Sequence, residues 1–189
     1  MLDDLKFINQ KDHNDVLGAT LREIRDSKDK ELVAAATSWS ADTPTAENDA
    51  KQLALELIGR PVVIIGDTSM QESARIWSTS IRMTAQTLSF VQNSDETQQV
   101  YLSWIGQPID KQVALVFLRA EDELKQATEN ATFLLTKLSG RWPEPNIVTK
   151  STDASNEYLA ALGKTVASYV GMLNGATLMY EKLYEKAQK

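Results

Sequence analysis

The sequence predicts an α/β fold: a doubly wound, mainly parallel sheet flanked by helices, with an N-terminal helical arm. Three observations lead there. "PVVIIG" (61–66) and "QVALVFLR" (112–119) are unbroken apolar runs, rich in β-branched residues and too short for helices. Such runs mark strands covered on both faces. Two weaker runs, "TLSFVQ" (87–92) and "NIVTKS" (146–151), supply further strands. Between and after them lie helical stretches at 69–86, about 95–105, 121–138 and 155–173. Strand and helix in regular alternation give a parallel sheet with helical crossovers.

The elements follow in order. Residues 1–39 form the arm. Leu2, Leu5 and Ile8 make one apolar stripe, Leu17, Leu21 and Ile24 a second, and Leu32, Ala35, Ala36 and Trp39 a third. Charged breaks such as "RDSKDKE" separate them, so these helices lean on other structure rather than holding their own core. Residues 40–48, within "SADTPTAEND", are polar and proline-bearing and read as a linker. The α/β domain then runs from 49 to 189, its first helix "AKQLALEL" capped by Asn48 or Asp49. In the helix 155–173, Leu159, Leu162, Val166, Tyr169 and Leu173 share a face, and Asn174-Gly175 supplies the stop. A charged helix from Thr177 closes the sequence.

Composition narrows the function. A chain of 189 residues that is 42% apolar can bury a full core. A net charge of −6, with scattered Lys and Arg, argues against nucleic acid and against an anionic membrane surface. No apolar run approaches the ~20 residues that span a bilayer. The start, "MLDDLKF", lacks the marks of a secretion signal, so a cytoplasmic location is expected. There is no cysteine, which excludes thiolate catalysis and thiolate metal sites. His13 is the one histidine; set in "NQKDHNDV", it reads as a solvated residue. No metal and no cofactor are expected.

In open parallel sheets, ligands bind beyond the carboxyl ends of the strands. "IIGDTSMQES" occupies that place. Gly66 permits a sharp turn, and Thr68 and Ser69 are expected to cap the next helix. A helix N-terminus favours anions, but Asp67 works against phosphate there, and the single glycine is far from a dinucleotide or P-loop fingerprint. Along that helix Met70, Ala74, Trp77, Ile81, Thr84 and Leu88 follow one buried stripe. Ser73, Ile76, Ser80 and Met83 line a second face, about 100° round at ~3.6 residues per turn, fit to meet another subunit or a cleft.

"PTAENDAKQLALELIGRPVVIIG", "ESARIWSTSIRMTAQ", "VALVFLR" and "YLAALGKTVASYVGMLNG" stand in that order over about residues 44–175. Together they resemble the C-terminal domain of the bacterial and archaeal bifunctional phosphoglucose/phosphomannose isomerases. "MLDDLKFINQKD" is similar to that family's start. The resemblance implies an SIS-like sandwich, two such domains per enzyme chain, a dimer, and a sugar phosphate as ligand. It makes Gly66, Asp67, Thr68, Ser69 and Arg75, the last in the R-x-W pair with Trp77, the candidate substrate-binding residues.

The departures matter more. In the family a complete N-terminal SIS domain lies between the start and the linker; here only "DVLGATLREIRDSKDKELVAAATSW" does. The family's base is the Glu of an N-E-N-A-K motif, and "RMTAQ" puts Met83 there. Its histidine precedes another Trp, and "TQQVYLSW" before Trp104 offers Gln98 or Gln99. The D-P-T-P motif is absent, since "NGATLMYEKL" runs on as helix. A thioether takes no proton from carbon and an amide does not titrate near neutrality. Acid–base groups contribute about 10²–10⁴-fold each, so the expectation is a family member without isomerase catalysis. It would act by binding a sugar phosphate, or by pairing as a homodimer or with a related isomerase chain. Two other readings are an active aldose–ketose isomerase using partner-chain groups or Glu72, Asp95 or Glu96, and an assembly protein that swaps its arm.

Overall fold

The structure is a computed structural model that describes residues 11–96, 113–121, 123–138, 146–150 and 155–175. The expectations for Leu2, Leu5 and Ile8, for the body of the helix 95–105, and for the helix from Thr177 lie outside the described residues. So do Gln98, Gln99 and Trp104, and the side chain of His13.

Six helices and four strands alternate in the predicted order among the described residues. They are α1 (Lys11–Arg25), α2 (Lys30–Ser38), α3 (Asp49–Leu57), β1 (Val62–Gly66), α4 (Gln71–Thr84), β2 (Ser89–Asn93), β3 (Ala114–Ala120), α5 (Lys125–Leu138), β4 (Asn146–Lys150) and α6 (Ser155–Asn174). The strands form one sheet in the order β2-β1-β3-β4, every neighbouring pair parallel. The α/β class and the parallel sheet flanked by helices stand as read from the sequence.

Burial along the strands explains why two runs are unbroken and two are weak. β1 and β3 are central, and all their residues but Arg119 are buried. β2 and β4 lie at the edges of the described sheet, where one side meets no strand. Phe90 is accordingly 53% exposed and Ile147 49%. Register places Val63 opposite Leu115 and Ile65 opposite Phe117. These four pack with Val113, Ala131 and Leu134, so α5 covers that face of the sheet.

The chain divides into two compact units. One is Arg60–Thr79 with Leu88–Ala160; the other is Met1–Gly59 with Ser80–Thr87 and Ala161–Lys189. The first holds the sheet and α5. Within it the Trp77 indole N–H donates to the Leu159 carbonyl, and the Ser73 hydroxyl donates to Asn156 Oδ1 at 2.7 Å. A tryptophan and a serine thus tie the start of α4 to the start of α6, which satisfies polar atoms that burial would otherwise strand.

In the second unit two of the arm's three stripes are described: Leu17, Leu21 and Ile24 on α1 are buried, as are Leu32, Ala36 and Trp39 at α2, while Ala35 is half-buried. Asp29 caps α2, accepting from the Glu31 and Leu32 N–H groups. Asn48, not Asp49, caps α3, accepting from the Lys51 N–H at 3.0 Å. The polar segment 40–48 is pinned rather than free. The Lys51 ammonium, on a side chain only 1% exposed, donates to the Ala41 and Thr43 carbonyls at 2.8 and 2.7 Å. Asn48 donates to the Ser40 carbonyl and to the Tyr169 hydroxyl, which donates to the Trp39 carbonyl at 2.6 Å. Burial, offset by the donation from Asn48 and aided by the charge of Asp42, pushes the Tyr169 phenol well up. It stays a protonated donor.

Several boundaries differ from the sequence reading. The helix expected from 69 begins at Gln71, because residues 68–70 form a 3₁₀ turn first. It ends at Thr84, where Gln86 takes φ +51° and the Asn174 amide donates to the Ala85 carbonyl and the Thr87 hydroxyl. Leu88 therefore leaves the buried stripe and is 66% exposed. Ser94–Glu96 is a 3₁₀ turn, and the helix expected from 121 starts at Lys125. No described helix is long and apolar enough to cross a membrane.

The Tyr169 network generates a stability prediction. Tyr169→Phe removes the only polar atom of a buried ring, the hydroxyl that links Asn48 to the Trp39 carbonyl. The expected cost is about 1–3 kcal/mol. Urea unfolding should show a lower midpoint at unchanged slope; an unaltered midpoint would mean that the network does not form.

Candidate functional site

The site is built where the sequence places it, at the carboxyl end of β1. The chain leaves β1 at Gly66, turns through Asp67, Thr68 and Ser69, and enters α4. Gly66 is required by close approach: a Cβ there would sit 2.8 Å from the Met70 Cβ. β1 runs out to β2 on one side and β3 on the other. The strand order therefore reverses beside this loop, at the point where open α/β sheets bind ligands.

The capping differs from the expectation. Asp67 is the N-cap, its carboxylate accepting from the Met70 N–H at 3.0 Å. Thr68 and Ser69 cap nothing. Their hydroxyls are donors: Ser69 to Asp67 Oδ1 at 2.6 Å, and Thr68 to Asp95 Oδ2 at 2.7 Å. The same Asp95 oxygen accepts from the Thr68 N–H at 2.9 Å. The reason is chemical. A carboxylate is a stronger acceptor than a hydroxyl, so where both compete for a free helix N–H the carboxylate takes it and the hydroxyl turns to feed the carboxylate.

Asp95 is brought in by the sheet. β2 lies in register beside β1, with Asn93 opposite Gly66. Asp95, two residues beyond, reaches across to the loop. Asn93 fixes it, accepting from the Asp95 N–H at 2.9 Å and donating to the Thr68 hydroxyl at 3.3 Å. Asn130 of α5 donates to the second Asp95 oxygen at 3.3 Å. Partial burial alone would raise the Asp95 carboxyl. The Thr68 hydroxyl, the Thr68 N–H and Asn130 outweigh it and hold the carboxyl below its ordinary value of 3.8.

Two amide side chains hold the carbonyl oxygens of the loop. The Gln71 amide donates to the Gly66 and Asp67 carbonyls, and the Asn156 amide donates to the Ser69 carbonyl. Arg75 is exposed on α4, and Trp77 is buried. On the predicted second face of α4, Ser73 is buried, Ile76 and Ser80 are half-buried, and Met83 is 40% exposed. Arg119, near the end of β3, pairs with Glu123. Hydrogen bonds to Glu123 raise its guanidinium against the effect of burial. Among the described residues no group of three or more His, Asp or Glu side chains is placed to hold a metal ion.

Sequence reasoning brought Gly66, Asp67, Thr68 and Ser69 to one place, and the structure adds Asn93, Asp95 and Asn130. In chemical terms the loop is an acceptor site. Two carboxylates hold donors that an incoming phosphate would need, and they repel a dianion. They keep lone pairs for hydroxyl donors.

The clamp makes stability depend on pH with a definite sign. A carboxyl held below its ordinary value stabilises the fold above that value and loses the contribution as the pH falls through the depressed one. Asp95→Asn should therefore lower stability at pH 7 by about 0.5–1 kcal/mol, reduced by solvent exposure. The gap to the parent should close as the pH falls below about 3.8. A gap that stays constant down to acid pH would refute the assignment.

Comparisons with known proteins agree with this fold. Residues 46–177 match the model of the bacterial phospho-glucose isomerase C-terminal SIS domain. Among solved structures, a glucose-6-phosphate isomerase like protein from Thermus thermophilus superposes with a TM-score of 0.61 at 19% identity. The match covers 84% of this chain and 53% of that one, so this chain spans about half the length of its structural relative. No curated protein matches. The family match takes in the linker end, the sheet, the β1 loop and α6. By that extent the chain belongs to the family of bacterial phosphoglucose isomerase C-terminal SIS domains.

Proposed function

We propose that this chain is a degenerate relative of the glucose-6-phosphate/mannose-6-phosphate isomerases. It keeps the SIS-like fold and recognises a sugar derivative without interconverting it, in the cytoplasm, as a homodimer or paired with a related isomerase chain. The observation that supports this reading best is the Asp95 carboxylate on the Thr68 N–H and hydroxyl, beside Asp67 on the Met70 N–H. A loop in that state offers a sugar acceptors for its hydroxyls and gives a phosphate little to bind.

The chemistry needed for isomerisation is not at hand in these residues. Moving a proton between C1 and C2 requires a base whose pKa lies near the working pH. Met83, at the position of the family's glutamate, has no titratable atom. Asp95, one of the carboxylates that could stand in, is held below its ordinary value and is committed to Thr68 and Asn130. That favours recognition over a rewired active isomerase. Among the described residues, Leu17, Leu21, Ile24, Leu32, Ala36 and Trp39 of the arm are buried in the single chain, which weighs against a swapped arm.

Two assays separate these readings. With fructose 6-phosphate or mannose 6-phosphate, coupled detection should show no turnover above background. Saturable turnover abolished by Asp95→Asn or by Glu72→Gln would establish the active reading instead. In thermal denaturation, a sugar present at a hundred times its Kd should add about 2.7 kcal/mol of stability.

A further inference from the structure

A cleft lies in the other compact unit, and the described residues that line it come from α1, the pinned segment 40–44 and Lys51. Its volume is about 770 Å³, within the ~300–1,000 Å³ of small-molecule sites. Along α1, Asn14, Gly18, Arg22 and Arg25 face it at helical spacing. Leu17 and Leu21 line it as well, and Lys51 and Asp42 complete the charged groups. Among the described residues that line it, three cations face one carboxylate, on a chain whose net charge is −6.

Two features distinguish it from a solvated helix face. Among the described residues, Arg22 and Arg25 meet no carboxylate, although acidic residues outnumber basic ones in the chain, 26 to 20. The Asn14 side-chain oxygen is buried and, among the described residues, has no hydrogen-bond partner. An unpaired buried polar atom is costly to keep. A ligand that draws the Asn14 amide into the cleft and brings a donor to it recovers that cost. Gly18 keeps the middle of the α1 wall bare, since a Cβ there would meet only the Arg22 guanidinium, at 3.6 Å.

We infer that this cleft binds a small hydroxylated organic anion, a phosphate ester or a hydroxycarboxylate. Arg22 and Arg25 take the anionic group, Asn14 takes a hydroxyl, and Leu17 and Leu21 bound the apolar side. Guanidinium groups suit both anions because their parallel N–H donors match two oxygens at once. The site shares no residue with the β1 loop and stands whether or not that loop recognises a sugar.

Equilibrium binding to the full chain tests the inference, with glucose 6-phosphate, citrate and inorganic phosphate as probes and glucose as the neutral control. Glucose 6-phosphate or citrate should bind, weaken as salt is raised, and lose roughly tenfold or more in affinity in the double variant Arg22→Gln/Arg25→Gln. Which of the two binds tells phosphate from carboxylate. Gly18→Leu, which fills the cleft while favouring the helix, should abolish the same binding without lowering thermal stability. Asp95→Asn should leave it unchanged, and this separates the cleft from the loop. Absence of any anion binding that the arginine and glycine variants abolish would overturn the assignment, as would glucose binding that is equally tight and equally lost in those variants.

Discussion

The carboxylate of Asp95 on the N–H and hydroxyl of Thr68 is the contact on which the functional account rests. It joins the end of β2 to the loop that follows β1, and it does so at the one edge of the sheet where a ligand would sit. Strand register makes it possible, because Asn93 stands opposite Gly66 and carries the chain to the right level. Helix electrostatics make it favourable, since the first N–H groups of a helix end attract negative charge. Once formed, it gives the loop an internal anion. The same pair of facts that makes such a loop a phosphate cradle elsewhere makes it a filled one here.

The second unit is organised by a comparable economy. A tyrosine, an asparagine and a lysine hold a polar, proline-bearing segment by its carbonyl oxygens. Burying the Lys51 ammonium is costly unless it is well hydrogen-bonded. The Ala41 and Thr43 carbonyls meet that requirement. By fixing residues 40–44 they also fix one wall of the cleft that Arg22 and Arg25 line from the other side. Here the link between packing and function is direct: a rigid wall is what turns an exposed helix face into a cavity.

Much of this was legible in the sequence. Unbroken apolar runs identified the two central strands, and weaker runs identified the two outer ones for the same physical reason. Asn48 was readable as a cap because its role is local, resting on an N–H three residues away. The role of Asp95 was not. It acts on Thr68, 27 positions earlier, and its own neighbourhood suggested the start of a helix. A signal was present all the same: in a parallel sheet, an Asn-x-Asp at the end of a strand lies beside the loops that follow its neighbours. Lys51 was missed because a lysine in an amphipathic helix is ordinarily solvated, and nothing local shows that carbonyls await it. The motif substitutions at Met83 and Gln98 or Gln99 came from family resemblance; the described structure bears on the first through exposure alone.

The central claim is that the β1 loop already holds an ionised carboxylate where an incoming anion would bind. Nuclear magnetic resonance across an acid titration measures this most directly, by following the Asp95 side-chain carbon and the Thr68 amide proton in the same sample. The account predicts that both shift together, with one midpoint below 3.8. An Asp95 midpoint at or above that value, with a Thr68 amide that does not respond, would contradict it.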